Sequence, residues 1–395
     1  MKARSVHLQY RFDAAEQRGA ALHNPLFDLL QAVHEHGSIR HAATALGASY
    51  RHVWGSLKAW EDTLGEPLIT WAKGQPARLT PFAERLLWAE TRARTRMTPH
   101  IEALRAELEH VLAQALDGSQ QVLTIFASHD LALPALRDLA SQQHGLHIEL
   151  RFAGSLDALR ALGAGRCLVA GFHVPQLGAQ GGPGPHSSAA ALFAQAMKPL
   201  LKPGRHKLIG CLRRQQGLMV APGNPLGIRG LADLVQSNAH PTRYLNRQSG
   251  SGTRLLMDHL LRQQGIPVAS ITGYDSAAED SHVAVAAAIA SGAADVGPGI
   301  EAAAARFGLE FIPLLSEDYF LVCLRDALDH PAVRLLRQAL ASPAWLAASA
   351  ALPGYAPQRS GEVLSLTQAL PWWRFKSPKA GASTAPALNS PSHRP

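Results

Sequence analysis

Between residues 121 and 370, short apolar runs alternate with helical stretches, and this rhythm limits the fold more than any other feature. VLTIFA (Val122 to Ala127) reads as a strand running into a helix at Ser128. HIELRFAGSLDALRALGAG repeats the plan, with a strand ending at Ala153 and a helix starting at Ser155. CLVAGFHV is a third strand. Consecutive βα units imply a parallel sheet with helices on its faces, and ligands in such sheets sit beyond the strand ends, where helices begin. Further along, strands are expected at Thr242 to Leu245 and Ala294 to Val296. A helix HVAVAAAIASG capped by Asp280 or Ser281 and returning strands within FIPLLSEDYFLVCLR are expected with them. A chain that crosses out and back between two α/β halves encloses a hinged cleft.

Residues 1–120 read differently. Pro25 opens a helical run with Leu26, Leu29, Leu30 and Val33 on one stripe, and Gly37 ends it. Ser38 caps a second helix whose buried face is Ile39, Ala42, Ala43 and Leu46. Gly47 supplies a turn, and Ser49 caps a third helix with Val53, Leu57, Trp60 and Leu64 inward. That arrangement leaves Arg40, Ser49, Tyr50, Arg51, His52, Ser56 and Lys58 available on the outer face. Two short helices about a glycine turn, the second basic and polar at its start, describe a helix-turn-helix. LGEPLITWAKGQPARLT reads as a hairpin wing around Lys73, Gly74 and Gln75. Thr80 then caps a long helix that Pro99 is expected to break or kink, and such an arm suits a homodimer or higher oligomer.

Charge supports this only locally. The first 120 residues carry 14 Lys+Arg against 13 Asp+Glu, so the formal charge of +8 lies almost wholly in the remainder. No acidic residue occurs from His36 to Trp60, and an acid-free face suits approach to phosphates.

The sharpest local motif is NRQSGSGTR at 246–254. Gly250 and Gly252 let backbone N–H groups converge, Ser249, Ser251 and Thr253 add hydroxyls, and Arg247 and Arg254 add charge. This is an anion nest, and it lacks the Lys spacing of a phosphate-binding P-loop. Ser128 and Ser155, at strand ends, are further donors.

GSIRHAATALGASYRHVWGSLKAWEDTLGEPLI and ARLTPFAERLL resemble the winged-helix domain of ModE- and LysR-type regulators over residues 24–90. AGSLDAL, LVAGFHV, RRQQGLMVAPGNP, NRQSGSGTRLL and GYDSAAEDSHVAVAAAIASGAADVG resemble the periplasmic-binding-protein-like domain associated with molybdate or tungstate. The resemblance implies an all-α winged helix-turn-helix domain at 1–80 and a linker or dimerisation helix at 81–120. A two-lobed α/β domain follows at 121–372, its second lobe at 210–312; residues 373–395, rich in Pro, Ser, Ala and Gly, read by composition as a disordered tail. The resemblance also implies a role for double-stranded DNA, with molybdate or tungstate as effector and no other cofactor, and adds Tyr274 to the donors of a serine-lined oxyanion site. His129, His173 and His282 lie near the same strand ends and read as solvent-facing or capping.

The functional expectation is a cytoplasmic DNA-binding regulator without membrane association. Formate, sulfate or a molybdenum-cofactor-related ligand is the alternative effector, and oxyanion storage or delivery the alternative role. Ser128, His129 and Asp130 are chain neighbours and so point different ways, and no metal or cofactor motif occurs, so no enzymatic activity is expected. Cys167, Cys211 and Cys323 are widely spaced and read as buried reduced thiols.

Overall fold

The computed structural model describes residues 24–70, 76–116, 121–176, 188–235, 242–276 and 278–373. The expected wing tip at Lys73 to Gln75, the glycine-rich stretch before residue 188 and the tail beyond Trp373 lie outside them.

The head comprises α1 (Pro25–His36), α2 (Ile39–Ala45), α3 (Tyr50–Leu64), β1 (Ile69–Thr70) and β2 (Arg78–Leu79). Its punctuation is as the sequence implies. Asn24 Oδ1 accepts from the Leu26 amide at 3.0 Å, Gly37 ends α1 in the left-handed region, and Ser49 Oγ accepts from the His52 amide at 3.2 Å. Leu26, Leu30, Val33, Ala42, Val53 and Leu57 form one core. Leu46 departs from expectation: it follows the last turn of α2 and is exposed rather than buried. β1 and β2 pair antiparallel, which makes the base of a wing.

The helix α4 (Pro81–Leu116) starts at Thr80, whose hydroxyl accepts from the Ala83 amide at 3.1 Å and donates to the Pro67 carbonyl at 2.8 Å. Pro99 does not end it. A mid-helix proline costs roughly 3 kcal/mol, and α4 packs on the domain that follows.

That domain contains β3 (Gln121–Ala127), α5 (Leu133–His144), β4 (Leu146–Phe152), α6 (Ser155–Gly163), β5 (Val169–Pro175), α7 (Ser188–Met197) and β6 (His206–Val220). After these come β7 (Asn246–Arg247), α8 (Gly252–Gln263), β8 (Ala278–Glu279), α9 (His282–Ala290), β9 (Val296–Ile300), α10 (Glu301–Arg306) and β10 (Glu310–Leu324). The chain closes with α11 (Pro331–Ala341), α12 (Pro343–Ala350), β11 (Tyr355–Pro357), β12 (Val363–Leu364) and α13 (Leu366–Ala369). The main sheet runs β11-β6-β10-β5-β3-β4, with β9 and β12 also on β6. β3 pairs in parallel with β4 and β5, whereas β10 pairs antiparallel with both β5 and β6, so the sheet is mixed rather than parallel.

β6 and β10 are the two long crossing strands. They pair from His206↔Leu324 in the first lobe to Val220↔Glu310 in the second, with irregularities at Pro313/Leu315 and Tyr319/Phe320. The first lobe packs around β3, β4, β5, α5 and α6, the second around Leu218, Tyr244, Met257, Leu261, Tyr274 and Val296. Two expected strands shift. Thr242 to Leu245 gives only a bridge from Tyr244 to Val296, and the strand proper is Asn246–Arg247. The strand expected at Ala294 to Val296 instead begins at Val296 and runs through VGPGI, all buried. Ser128 does not open a helix, since α5 begins five residues later.

Candidate functional site

In the head, α3 presents Tyr50 (51% exposed), Arg51 and His52 at its first turn, with Arg40 exposed on α2. Ser49 is exposed but occupied as the cap, and Ser56 is half-buried. Lys58 is less available than its sequence position implies. Its ammonium lies 2.6 Å from Glu61 Oε2 and over the Trp54 ring. Glu61 Oε1 in turn accepts from the Leu68 and Ile69 amides, fastening α3 to the wing.

In the second domain, the starts of two helices from different lobes face each other. Ser155 is the first residue of α6, and Gly252 is the first of α8, capped by Ser251, whose Oγ accepts from the Arg254 amide at 3.2 Å. A Cβ on Gly252 would stand 3.9 Å from Ser155 Oγ, so glycine leaves the gap between lobes open. Ser155, His173, Gly250, Gly252 and Leu255 line an enclosed cavity of about 10 Å³, room for about one water. Helix starts carry unsatisfied N–H groups and partial positive charge, which favour anions.

Behind the gap, where β6 and β10 cross, lies a buried polar centre. Arg214 donates from Nη1 to Asp130 Oδ2 and from Nε to Glu317 Oε1, both at 2.6 Å. Tyr355 donates its hydroxyl to Asp130 Oδ2 at 3.0 Å. Burial opposes these charges, but the pairing outweighs it: Arg214 is held up by Glu317 and Asp130, and Asp130 is lowered to about 2 by Arg214 and His173.

Ser128 Oγ lies 2.7 Å from His173 Nδ1, and Tyr319 donates to the Ser128 carbonyl at 3.3 Å. Gly171 permits this approach, since a Cβ there would fall 2.1 Å from the Tyr319 hydroxyl. Ser128 and Asp130 thus share a histidine, though it is His173 rather than their chain neighbour. His173 Nε2 is 3.6 Å from Asp130 Oδ2, beyond hydrogen-bonding reach.

Arg247 is different. It is buried at 5% exposure, yet it donates to backbone carbonyls, from Nε to Glu279 at 3.2 Å and from Nη2 to Asp280 at 2.7 Å. Burial and the neighbouring Arg214 push it down to about 10, even with Asp280 nearby. The Glu279 carboxylate itself points elsewhere, to Arg96. Three histidines lie by the two arginines, His129 and His282 near Arg247 and His173 near Arg214. Burial and Arg247 push His129 down to about 4 and His282 well below its ordinary value; burial and Arg214 lower His173. Each has a buried ring nitrogen without a hydrogen-bond partner among the described residues: Nδ1 of His129, Nε2 of His173 and Nδ1 of His282.

The structure therefore brings Ser128, Ser155, Arg247, Gly250, Gly252 and Thr253 to the same region. Thr253 is buried, its hydroxyl accepting from Gln216 at 2.8 Å, while Ser249 is exposed. Arg254 and Tyr274 stand apart. Arg254 pairs with Asp258 and Asp275, and the Tyr274 hydroxyl donates to Asp258 at 2.6 Å, so local carboxylates already engage both. The three histidines, read from sequence as solvent-facing or capping, are instead interior. Arg214, Glu317, Tyr319 and Tyr355 escaped sequence reasoning, and Asp130 was weighed only as a chain neighbour of Ser128 and His129. An Arg-Arg-Gln-Gln run inside an otherwise apolar strand was the available signal.

Residues 136–341 match the family model described as the PBP superfamily domain. The chain belongs to the PBP superfamily. Ahead of the PBP domain, residues 26–84 match the model of the bacterial regulatory helix-turn-helix protein, lysR family. The uncharacterized protein YvgK of Bacillus subtilis is 30% identical over 214 residues, 54% of this chain and 64% of that protein, so the match spans less than two thirds of its length. An uncharacterized protein in the ferredoxin 2Fe-2S gene 5' region of Clostridium pasteurianum is 31% identical over 112 residues, 28% of this chain and 98% of that one. Among solved structures, full-length LTTR LysG from Corynebacterium glutamicum with bound effector Arg is similar at TM-score 0.38 and 20% identity, covering 82% of this chain and 98% of that one. ArgP from Mycobacterium tuberculosis is similar at TM-score 0.36 and 20% identity, covering 85% and 100%. At such scores these likenesses carry no further argument. Among the described residues, no helix is long and apolar enough to cross a membrane, and no group of three or more His, Cys, Asp or Glu could hold a metal ion.

Proposed function

We propose that this chain is a DNA-binding transcription regulator whose PBP domain takes a small oxyanion, molybdate or tungstate, between its lobes. The observation that carries the ligand class is Arg247. A buried guanidinium whose hydrogen bonds go to carbonyls rather than to carboxylates, with a second arginine beside it, can take an anion as a further partner, with Asp280, Glu317 and Glu279 as the carboxylates nearby. Around it stand the opposed starts of α6 and α8 and three histidine nitrogens without partners. An anion entering there satisfies the arginine, the helix N–H groups and ring donors together. Uncharged donors at fixed spacing discriminate by size, which favours the large tetrahedral metal oxyanions over formate.

The head supplies the DNA contact. Tyr50, Arg51 and His52 project from the start of α3 on a face without acidic residues, the geometry of a helix entering the major groove. α4 exposes Leu104 and Val111, seven residues apart and so on one face, which supports pairing with the same helix of a second copy.

Calorimetry with molybdate, tungstate, sulfate, phosphate and formate tests the ligand. The expected result is binding of both metal oxyanions, with R247M weakening it at least about tenfold, since a charge-assisted hydrogen bond is worth about 1.5–3 kcal/mol. Absence of heat from either metal oxyanion, with an organic acid binding instead, removes that assignment.

A further inference from the structure

We propose that α4 reads the angle between the two lobes because one ion pair fastens it to each of them; the inference rests on the sensing role above and names the regulation of that site. Glu102 Oε2 lies 2.7 Å from Arg137 Nη1 on α5, in the first lobe. Arg96 makes a two-pronged pair with Glu279 on β8, in the second lobe, from Nε to Oε2 at 2.9 Å and from Nη2 to Oε1. Glu279 and Arg137 are both buried, so neither anchor swings freely. Six residues separate Arg96 from Glu102. At 100° per residue they sit about 120° apart around the helix axis, one on each flank, and about 9 Å apart along it. α4 also packs against β4 of the first lobe and against α9. It is therefore a strut across the hinge rather than a tether hung from one lobe.

The second anchor leads directly to the cleft. Residue 279 is gripped from both sides. Its carboxylate holds Arg96, and its carbonyl accepts from Arg247 Nε and from the Gln248 amide, which opens the loop to Gly250 and Gly252. β7 and β8 pair through Arg247↔Glu279. A movement of Arg247 toward an anion is thus transmitted through one residue to the strut. Since α4 runs unbroken from Pro81 to Leu116, rotation at Arg96 is carried to the head. Arg96 is a positioning residue, and it touches no ligand.

The test closes the cleft without any ligand. Ser155→Cys and Gly252→Cys, at positions where a Cβ on residue 252 would stand 3.9 Å from Ser155 Oγ, are joined in the full-length chain by a disulfide or by dibromobimane, and mass spectrometry verifies the cross-link. Hydrogen exchange of α4 amides 94–104 is then compared between locked and reduced chains. Locking is expected to change exchange at least threefold when Arg96 is present and less than 1.5-fold in R96Q. R96K, which keeps the charge but not the fork, is expected to restore part of the change. Arg96 is 57% exposed, so its replacement leaves the core intact. An unaltered response in R96Q, or no response with Arg96 in place, overturns the proposal. Molybdate calorimetry on the unsubstituted chain reports separately on the ligand: no molybdate binding there together with lock-dependent exchange removes the ligand and keeps the strut.

Discussion

Arg214 and Arg247 share one buried centre but differ in what neutralises them. Arg214 has two carboxylates at 2.6 Å, and Arg247 has carbonyls. Breaking a buried pair strands the remaining charge, at a cost of about 3–5 kcal/mol. D130N is therefore expected to lower unfolding free energy by about 3 kcal/mol in urea melts. R247M, which removes a buried guanidinium that hydrogen-bonds only to carbonyls, is expected to leave stability unchanged or raised while anion binding falls. A destabilisation of R247M equal to that of D130N would show that Arg247 is structural. The histidines add a pH signature. His129 is lowered from 6.5 to about 4 by burial and Arg247, so the unfolded chain binds the proton first. Its contribution is whole above pH 6.5 and is lost as pH falls toward 4, by at most about 3 kcal/mol. Urea melts between pH 7 and 4 should show this slope, and H129Q should flatten it; an equal slope in H129Q refutes the assignment. Little of this centre was legible in the sequence. Asp130 meets Arg214 across 84 residues and Tyr355 across 225, and only the crossing of β6 and β10 brings them together.

Among the elements, those announced by local chemistry were legible. Ser38 and Ser49 cap as read, Ser281, one of the two candidates, caps α9 with its Oγ on the Ala284 amide at 3.1 Å, and Ser155 begins α6. What failed was decided by packing: Pro99 sits inside α4, and glycine and proline hide β9 within VGPGI. The Gly250–Gly252 loop was recognisable, although its charged and aromatic neighbours Arg254 and Tyr274 turn away to Asp258. The loop gives two contrasting expectations. Gly250 has φ of +83°, so G250A is expected to cost roughly 1 kcal/mol in stability through backbone strain. Gly252 is unstrained but faces Ser155, so G252L is expected to keep stability within about 0.5 kcal/mol and to weaken molybdate binding at least tenfold by holding the lobes apart. Thermal melts and calorimetry separate the two. Equal molybdate affinity in G252L would place the anion elsewhere.

Across the whole molecule, a lysR-type helix-turn-helix, a continuous strut and a two-lobed PBP domain form a mechanical series. Its order, and the presence of both ends, could be read from periodicity, caps and glycines. The strut's grip on both lobes could not, because Arg96 meets Glu279 across 183 residues. Coupling between ligand and head is bounded by the difference in anion affinity of the two arrangements, typically about 1–3 kcal/mol. The most direct measurement is fluorescence anisotropy of a duplex enriched by the full-length chain from a random library, titrated with and without saturating molybdate. A change in DNA affinity of at least about fivefold is expected, absent in R247M and reduced in R96Q, with R51A weakening both curves alike. Superimposable curves, in a chain that calorimetry shows to be loaded with molybdate, would contradict the coupling of cleft to head.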